Sequence, residues 1–331
     1  MAKFFVTGAT GFIGGELVKQ LIGRGHRVVA LVREPGRATM LKALGVEMHA
    51  GDITDRETLK APMVGVDGVF HIAAWYKVGV AEPLADQINV DGTRNVLQMM
   101  RTLGIARGVY TSTVAVFSDT RGAVPDETYR YDGPHLSQYD RTKWIAHYRV
   151  ALPKIEEGVP LSIVMPGLVY GPGDTGGMRS ALVDLLRGRL PMTPARTAFC
   201  WSHVEDTARG HILAMEKGKP GETYIITGPR HSFEQAFDLA ARLAKVRAPM
   251  MHPGPRTMRA MSQMMKVAGR VVELPPALQP EALRVLAGTT YFGANDKAAR
   301  ELGFTARPLE EGLAQTLEHE LRLLGRVWAT G

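Results

Sequence analysis

Short apolar runs alternate with amphipathic stretches along the first half of the chain. The runs are rich in β-branched residues and too short for helices, so they indicate buried strands. The predicted strands are Lys3–Thr7, Arg27–Val32, Val46–Ala50, Gly68–Ala73, Gly108–Thr113 and Leu161–Pro166. The clearest predicted helices are Gly14–Gly23, Leu84–Leu103 and Gln138–Ile155. This alternation predicts an α/β fold with a doubly wound parallel sheet, which binds its ligands at the carboxyl ends of its strands.

The pattern changes after Pro166. The segments 169–177 and 191–196 are rich in Gly and Pro and predict loops. Thr223–Thr227 predicts a returning strand and Phe233–Val246 a helix. We therefore expect the chemistry to lie in the first half of the chain and the second half to shape a substrate pocket.

One segment of the second half has an unusual composition. Residues 249–276 hold six methionines and no acidic residue before Glu273, and Met258, Met261 and Met265 follow helical spacing. Three interpretations stay open: a helix that packs on the core, an adaptable lid over a bulky apolar substrate, and a basic amphipathic surface that touches a membrane. The methionines favour an apolar substrate.

Composition narrows the class of protein. The chain has 331 residues, 45% hydrophobic and 22% charged, which excludes a disordered chain, a collagen-like fibre and a disulfide-stabilised mini-protein. The single cysteine, Cys200, excludes an internal disulfide and a multi-cysteine metal site and fits a reducing compartment. The histidines lack metal-ligand spacing, and no apolar run reaches about 18 residues. We expect a cytoplasmic protein without a metal site or a transmembrane segment.

The formal charge of +7 raises the question of a nucleic-acid partner. The basic residues are spread along the chain without a polybasic run, a zinc-finger spacing or an aromatic RNA-binding signature. We therefore expect no nucleic-acid partner, and we interpret the charge as an aid to solubility or as attraction for an anionic cofactor.

A glycine-rich sequence follows the first predicted strand directly. It reads Thr7-Gly8-Ala9-Thr10-Gly11-Phe12-Ile13-Gly14, a GxxGxxG pattern at the start of a helix. Glycines at these positions permit a tight turn and let the backbone approach a pyrophosphate at the helix N-terminus. Between a strand and a helix, the motif predicts a dinucleotide cofactor. The expected contacts come from Gly8, Thr10, Gly11, Phe12, Ile13 and Gly14.

The end of the second predicted strand bears on the choice of cofactor. An acidic residue is expected there in a protein specific for NAD, but the sequence has Val32 followed by Arg33. An arginine can pair with the 2′-phosphate of NADP, and Arg37 is placed one turn on as a possible second clamp. The alternative is that Arg33 is solvated and Glu34 binds the ribose. We expect NADP(H) to be favoured over NAD(H).

Five motifs together resemble a known family. TGATGFIG, Gly51-Asp52, His71-Ile72-Ala73-Ala74, the run 89–93 (NVDGT) and the run 139–143 (YDRTK) occur in the order found in the extended short-chain dehydrogenase/reductases, the NAD-dependent epimerase/dehydratase superfamily. The resemblance extends over nearly the whole chain and is strongest to the dihydroflavonol-reductase-like and hopanoid-associated sugar-epimerase-like branch.

The resemblance carries expectations about the fold and the cofactor site. It implies a Rossmann dinucleotide-binding domain over residues 1–170 and a smaller C-terminal lobe over 171–331 that mainly binds substrate, with about 203–245 returning to pack on the first domain. It places Asp52 and Ile53 near the adenine, Ala73 and Ala74 along the cofactor groove, and Pro166 beside the nicotinamide.

The candidate catalytic residues are Tyr139, Lys143 and Thr113. Tyr139 and Lys143 are four residues apart on a predicted helix and share one face. An ammonium group nearby, together with the positive nicotinamide ring of an oxidised cofactor, favours the phenolate and would lower the tyrosine pKa, as proton transfer near neutral pH requires. Aligned on the family pattern, the third member falls on Thr113, whose hydroxyl would polarise a substrate carbonyl. Ser112 remains the alternative.

These residues predict an NADPH-dependent reductase or dehydrogenase acting on an apolar ketone, aldehyde or alcohol. A nucleotide-sugar epimerase or dehydratase with the same hydride chemistry is the alternative, and a non-catalytic NADP-binding regulator is a third possibility. The position that carries a diphosphate-binding arginine in nucleotide-sugar members is Phe199 here, which counts against the epimerase, although Arg196 is close. The resemblance also implies a homodimer formed through the Tyr139 helix and the Leu84–Leu103 helix.

Overall fold

The computed structural model describes residues 1–76 and 82–326. Within them the strands are β1 (Lys3–Thr7), β2 (Arg27–Val32), β3 (Glu47–Ala50), β4 (Gly68–His71), β5 (Gly108–Thr111), β6 (Leu161–Met165), β7 (Leu168–Tyr170), β8 (Ala198–His203), β9 (Thr223–Ile225), β10 (Arg230–Ser232) and β11 (Thr290–Tyr291). Seven of them form a parallel sheet in the order β3-β2-β1-β4-β5-β6-β9. The predicted Rossmann-type doubly wound sheet is confirmed. Its order reverses between β1 and β4, where such sheets form a ligand-binding crevice.

The helices in the same part of the chain are α1 (Phe12–Gly23), α2 (Thr39–Ala43), α3 (Glu57–Met63), α4 (Glu82–Asp86), α5 (Gly92–Thr102), α6 (Gln138–Ile145), α7 (Leu152–Glu156), α8 (Gly177–Leu186), α9 (Val204–Lys217), α10 (Phe233–Ala244), α11 (Pro255–Ala268), α12 (Pro280–Val285), α13 (Asp296–Leu302) and α14 (Leu309–Leu323). They cover both faces of the sheet because successive strand residues point to opposite sides. Phe4 belongs to a core with Leu17 of α1, whereas its neighbour Phe5 belongs to a second core with Val96 of α5.

A smaller sheet lies after β6. Its central strand, β8, pairs with β7 and β11 in parallel and with β10 in antiparallel orientation. The chain between β8 and β10 returns to the large sheet, because β9 pairs with β6 and α9 packs on α1. Residues 327–331, at the end of the predicted lobe, lie outside the described part of the chain.

Four predicted strands end earlier than expected: β4, β5, β6 and β9, of which β9 ends at Ile225 instead of Thr227. β4 ends at His71 because the amides of Ile72 and Ala73 donate to the Thr7 hydroxyl, at 3.2 Å each, and leave the ladder. β6 ends at Met165 because Pro166 has no amide hydrogen to continue the pairing. β5 ends at Thr111, two residues before Thr113 caps a short 3-10 turn.

The two long predicted helices are interrupted by wider turns. The stretch predicted as Leu84–Leu103 consists of α4, a π-helical turn at Gln87–Asp91 and α5. The stretch predicted as Gln138–Ile155 consists of α6, a π-helical turn at Ala146–Ala151 and α7. Such turns are frequent near functional sites.

The loop predicted for 169–177 was wrong at both ends. Val169 and Tyr170 belong to β7, and Gly177 starts α8, so that the loop is shorter. The local Gly and Pro content hid the strand because β7 is specified by its pairing with β8, which is distant in sequence. Over residues 1–76 and 82–326, no helix has the length and apolar character to cross a bilayer.

Candidate active site

A cleft of about 670 Å³ opens at the carboxyl ends of the large sheet and extends to α12 and β11. It is lined by residues that directly follow the parallel strands, as expected for this sheet order. All the predicted site residues except Arg37 line it: Gly8, Thr10, Gly11, Phe12, Ile13, Gly14, Arg33, Asp52, Ile53, Ala73, Ala74, Thr113, Tyr139, Lys143 and Pro166.

The glycine turn leaves no space for side chains. A β-carbon on Gly14 would lie 2.1 Å from the Gly8 carbonyl oxygen, and one on Gly8 would lie 2.7 Å from the Ala73 amide nitrogen. Gly8 also has a φ of 72°, in the left-handed region that favours glycine. Gly11, at the N-cap of α1, provides no side-chain cap, and the first turn has no acidic residue. The helix amides therefore face the cleft, and the turn fits a dinucleotide pyrophosphate.

Arg33 and Arg37 lie in different environments at the end of β2. Arg33 is exposed at the rim of the cleft and has no ion-pair partner among the described residues. Arg37 instead pairs with Glu34 at 3.0 Å on the outer surface, and neither residue lines the cleft. A second clamp by Arg37 would require it to leave Glu34. Glu34, which is exposed, contacts Arg37 and not the cleft.

The Tyr139 hydroxyl meets Thr113 inside the cleft. The two side chains are hydrogen-bonded, and the Thr113 hydroxyl also accepts from the Ala115 amide at 3.1 Å. Ser112 is directed away from Tyr139, because its hydroxyl bonds to His147 Nδ1 at 2.8 Å in the interior. The neighbouring hydroxyls thus have separate partners, and Thr113 is the one beside Tyr139.

Lys143 is fully buried and anchored to β5. Its ammonium group donates to the Thr111 carbonyl oxygen at 2.6 Å and to the Tyr110 hydroxyl at 3.0 Å. It also lies 4.5 Å from the Tyr110 ring centroid, a favourable position for a cation. Burial lowers the pKa of Lys143 to about 7. The amine can therefore exchange a proton near neutral pH.

Taken together, the protein groups around Tyr139 raise its pKa rather than lower it. Burial raises the pKa of Tyr139 to about 12, the bond to Thr113 lowers it, and the Asp140 carboxylate raises it. The physical reason is that Tyr139 is desolvated while the Lys143 ammonium is engaged by Thr111 and Tyr110. Tyr139 is thus held as a neutral phenol, the form that donates a proton.

Two buried polar groups fix the backbone around the cleft. The His71 ring is held between the Thr7 and Thr93 hydroxyls at 2.8 and 3.0 Å, and burial lowers its pKa to about 3. The Asn89 amide accepts from the Trp75 amide at 2.6 Å and donates to the Trp75 carbonyl and to Thr142. His71 is thus a neutral structural group, and Asn89 secures the segment after β4.

The residues at the far end of the cleft are not predicted by the sequence analysis. Its walls are mostly apolar and aromatic and come from seven separate elements or loops: Trp75, Leu168, Met178, Phe199, Phe233, Val285, Leu286 and Tyr291. Phe199 and Tyr291 stack with their ring centroids 5.5 Å apart. No local signal marks these residues, because they come from segments that are distant in sequence. Phe199 and Tyr291, for example, meet through the pairing of β8 with β11.

The described side chains at this far end that can carry a charge near neutral pH are carboxylates. Asp140 accepts from Tyr291 at 2.9 Å and from Ser137 at 2.7 Å, and burial raises its pKa to about 6. Asp174 accepts from the Gly176 and Arg179 amides, and Glu281 accepts from the Gln138 amide. Among the described residues, the basic side chains that line the cleft are Arg33 and Lys143. Over residues 1–76 and 82–326, the far end therefore has no cationic group for a phosphate.

Comparison with known proteins agrees with this geometry. A model of the NAD-dependent epimerase/dehydratase family matches residues 4–227. The sterol demethylase protein B of Methylococcus capsulatus is 31% identical over 309 residues, which cover 90% of this chain and 92% of that protein. A putative dihydroflavonol 4-reductase of Synechocystis is 31% identical and covers 95% of this chain, with 93% of its own length matched.

A solved structure is also similar over the full length. The crystal structure of a protein named gox2253 superimposes with a TM-score of 0.84 and 30% sequence identity. The match covers 99% of this chain and all of that one. The similarity therefore includes both the large sheet and the smaller sheet.

Proposed function

This chain belongs to the NAD-dependent epimerase/dehydratase family and is an NAD(P)-dependent enzyme, and we propose that it is an NADPH-dependent reductase of ketones or aldehydes. The observation that carries the proposal is the pairing of Tyr139 with Thr113 in a cleft whose far end is apolar. Reversal of the same reaction would oxidise the corresponding alcohol.

Each candidate catalytic residue has a role that follows from its contacts. A bound nicotinamide would supply the hydride. The neutral Tyr139 phenol would donate the proton that the substrate oxygen needs as the carbonyl is reduced. The Thr113 hydroxyl would donate a second hydrogen bond to that oxygen. Lys143, with its pKa near 7, would return a proton to Tyr139.

The proposed cofactor site follows the glycine turn and the ends of the next strands. The α1 amides would hold the pyrophosphate, with Gly8, Thr10, Gly11, Phe12, Ile13 and Gly14 around it. Asp52 and Ile53 would contact the adenine. The groove that leads to the nicotinamide would be lined by Ala73, Ala74 and Pro166. Arg33, which has no ion-pair partner in the described chain, would bind the 2′-phosphate and favour NADP over NAD. We assign no cofactor contact to Arg37 because it pairs with Glu34.

The proposed substrate is uncharged and largely apolar. Phe199, Phe233 and Leu286 offer apolar surface, while Asp140, Asp174 and Glu281 would repel an anion. Arg196, the arginine nearest in sequence to Phe199, is exposed and does not line the cleft. These features count against a nucleotide-sugar diphosphate.

A substrate screen tests the proposal. Purified protein and NADPH are mixed with a panel of aromatic, long-chain and polycyclic ketones and aldehydes, and NADPH oxidation is followed by absorbance. Uridine-diphosphate sugars are titrated in parallel by calorimetry. We expect oxidation with at least one apolar carbonyl and no binding of the sugars. Micromolar binding of a nucleotide sugar, lost on Arg196→Ala, would support the epimerase and overturn the reductase.

We propose a homodimer in the cytoplasm as the assembly and location. The outer surface of α6 and of the π-helical turn that follows it presents the half-buried rings of Trp144 and Tyr148. Leu84 on the neighbouring α4 is 40% exposed. Light scattering during gel filtration would test the assembly, and a monomeric mass at micromolar concentration would contradict it.

A further inference from the structure

The Met-rich segment forms α11, which packs on α12 outside the cleft. Met258 is buried against Leu283 of α12 and against Ala287, which follows that helix, and Met261 and Met265 pack on the same cluster. None of the described residues 250–272 lines the cleft. The core interpretation thus holds for these three methionines, and the opposite face of α11 has no partner in the described chain.

The outward face of α11 carries an apolar strip. Ala260, Met264 and Val267 are spaced four and three residues apart and share one side of the helix. Val271 and Val272 continue the strip in the turn that follows. The exposed fractions are 64% for Met264 and Val267, 86% for Val271 and 56% for Val272. Large apolar side chains this exposed in one strip mark an interaction surface.

A basic strip runs beside the apolar one. Arg256, Arg259 and Lys266 follow helical spacing on the adjoining side of α11, and Arg270 extends the row. All four are exposed, and none has an ion-pair partner among residues 1–76 and 82–326. No acidic residue occurs from 250 to 272. The surface therefore combines apolar side chains with four cationic groups free to bind anions.

We propose that this surface, the apolar strip together with the basic strip, docks on the headgroup region of an anionic lipid bilayer. Apolar side chains would enter the boundary between headgroups and acyl chains, and the arginines and the lysine would pair with lipid phosphates. A second copy of this chain fits less well, because an interface formed by the same face on both copies would bring the basic strips together.

The position of the surface relates it to the cleft. α12 lies between them, because its Leu283 packs on α11 whereas its Ala282 and Val285 line the cleft. Docking through α11 would hold the far, apolar end of the cleft near the bilayer. An apolar substrate dissolved in the lipid would then have a short path to the site, which agrees with the proposed function but is not required by the test below.

Co-sedimentation with vesicles tests the docking without reference to enzyme activity. The full chain is mixed with sucrose-loaded vesicles of phosphatidylcholine alone or with about 30% phosphatidylglycerol. We expect partition onto the anionic vesicles to be at least about tenfold stronger, and to weaken as salt is added because the charges are exposed. Equal partition onto both vesicles, or none onto either, would overturn the proposal.

Three double variants separate the two strips from a general charge effect. Arg259→Glu with Lys266→Glu should reduce partition at least about tenfold, and so should Met264→Asp with Val267→Asp. Lys42→Glu with Lys60→Glu makes the same charge change on α2 and α3, where both lysines are exposed, and should leave partition nearly unchanged.

Unchanged thermal midpoints would show that the variants fold. An equal loss in the α11 basic variant and in the control would contradict docking by this surface. So would light scattering that shows a dimer dissociated by the Met264→Asp and Val267→Asp changes, since that result assigns the surface to a second copy.

Discussion

Lys143 donates a hydrogen bond of 2.6 Å to the carbonyl oxygen of Thr111, the last residue of β5. This bond holds the amine in the interior, at the floor of the cleft and one helical turn from Tyr139. Because burial disfavours the charged form, the pKa of Lys143 falls from 10.5 to about 7. The position that suits Lys143 for proton exchange therefore reduces the stability of the fold.

The first prediction is that burial of Lys143 lowers the free energy of unfolding by an amount that depends on pH. Between its folded pKa, about 7, and its unfolded pKa, the unfolded chain binds more protons at this site than the folded chain. The loss of stability caused by burying Lys143 is largest below about pH 7 and decreases as the pH rises. The free energy of unfolding of the wild type minus that of Lys143→Met should therefore increase by about 1.4 kcal/mol per pH unit from about pH 7.5 to 9.5. Urea unfolding at several pH values measures this slope.

Lys42→Met, the same substitution at an exposed lysine, provides the control for effects of the substitution that do not depend on burial. If the difference in free energy of unfolding between the wild type and Lys143→Met does not change with pH, Lys143 keeps an ordinary pKa in the folded protein.

The second prediction compares two glycines of α1. Gly14→Ala would place a β-carbon 2.1 Å from the Gly8 carbonyl oxygen, so the turn must shift. We expect a loss of about 1–3 kcal/mol in stability and at least about tenfold weaker NADPH binding. Gly23→Ala meets nothing within 4 Å and should stabilise the helix by up to about 1 kcal/mol with unchanged binding. Thermal unfolding measures the stability of each variant, and fluorescence titration measures its NADPH affinity. Tight NADPH binding by Gly14→Ala would show that the glycine turn does not belong to the cofactor site.

The third prediction concerns cofactor selectivity. NADPH should bind at least about tenfold more tightly than NADH, a difference of about 1.4 kcal/mol, and Arg33→Asp should abolish or reverse the preference. Arg37→Ala, which removes the partner of Glu34, should change the ratio by less than about threefold. Equilibrium titration with both cofactors provides the ratios. Equal affinities in the wild type would favour ribose binding by Glu34 instead.

The fourth prediction separates the adjacent hydroxyls. Thr113→Ala should lower kcat by at least about 100-fold, and Thr113→Ser should restore most of it because both the bond to Tyr139 and the cap on Ala115 return. Ser112→Ala should keep most activity but lose about 1–3 kcal/mol of stability, since His147 loses its partner. Steady-state kinetics and urea unfolding distinguish the pair. A large loss of kcat in Ser112→Ala, with most activity kept in Thr113→Ala, would assign the hydrogen bond to the substrate oxygen to Ser112 instead.

The sequence was most informative where function depends on local backbone. The GxxGxxG run predicts its own turn, because Gly8 needs a positive φ and Gly14 must leave space for a carbonyl. Strand periodicity predicts the parallel sheet because the strands are buried on both faces. The spacing of Tyr139 and Lys143 predicts that both reach one cleft.

Prediction from sequence failed where contacts are long-range. The composition of 169–177 predicts a loop, yet Val169 and Tyr170 belong to β7, whose conformation depends on pairing with β8. The stack of Phe199 on Tyr291 and the bond from Tyr291 to Asp140 join segments with no local signal. The spacing of Tyr139 and Lys143 on a helix does not reveal desolvation, which raises the pKa of Tyr139 in the surroundings that the protein itself provides.

The proton-donor role of Tyr139 is tested most directly by Tyr139→Phe, which removes only the phenolic oxygen. NADPH oxidation with the best apolar carbonyl of the screen and NADPH binding by fluorescence are measured on the same preparations. The proposed mechanism predicts a loss of at least about 100-fold in turnover, with the NADPH dissociation constant nearly unchanged. Turnover equal to that of the wild type would contradict it.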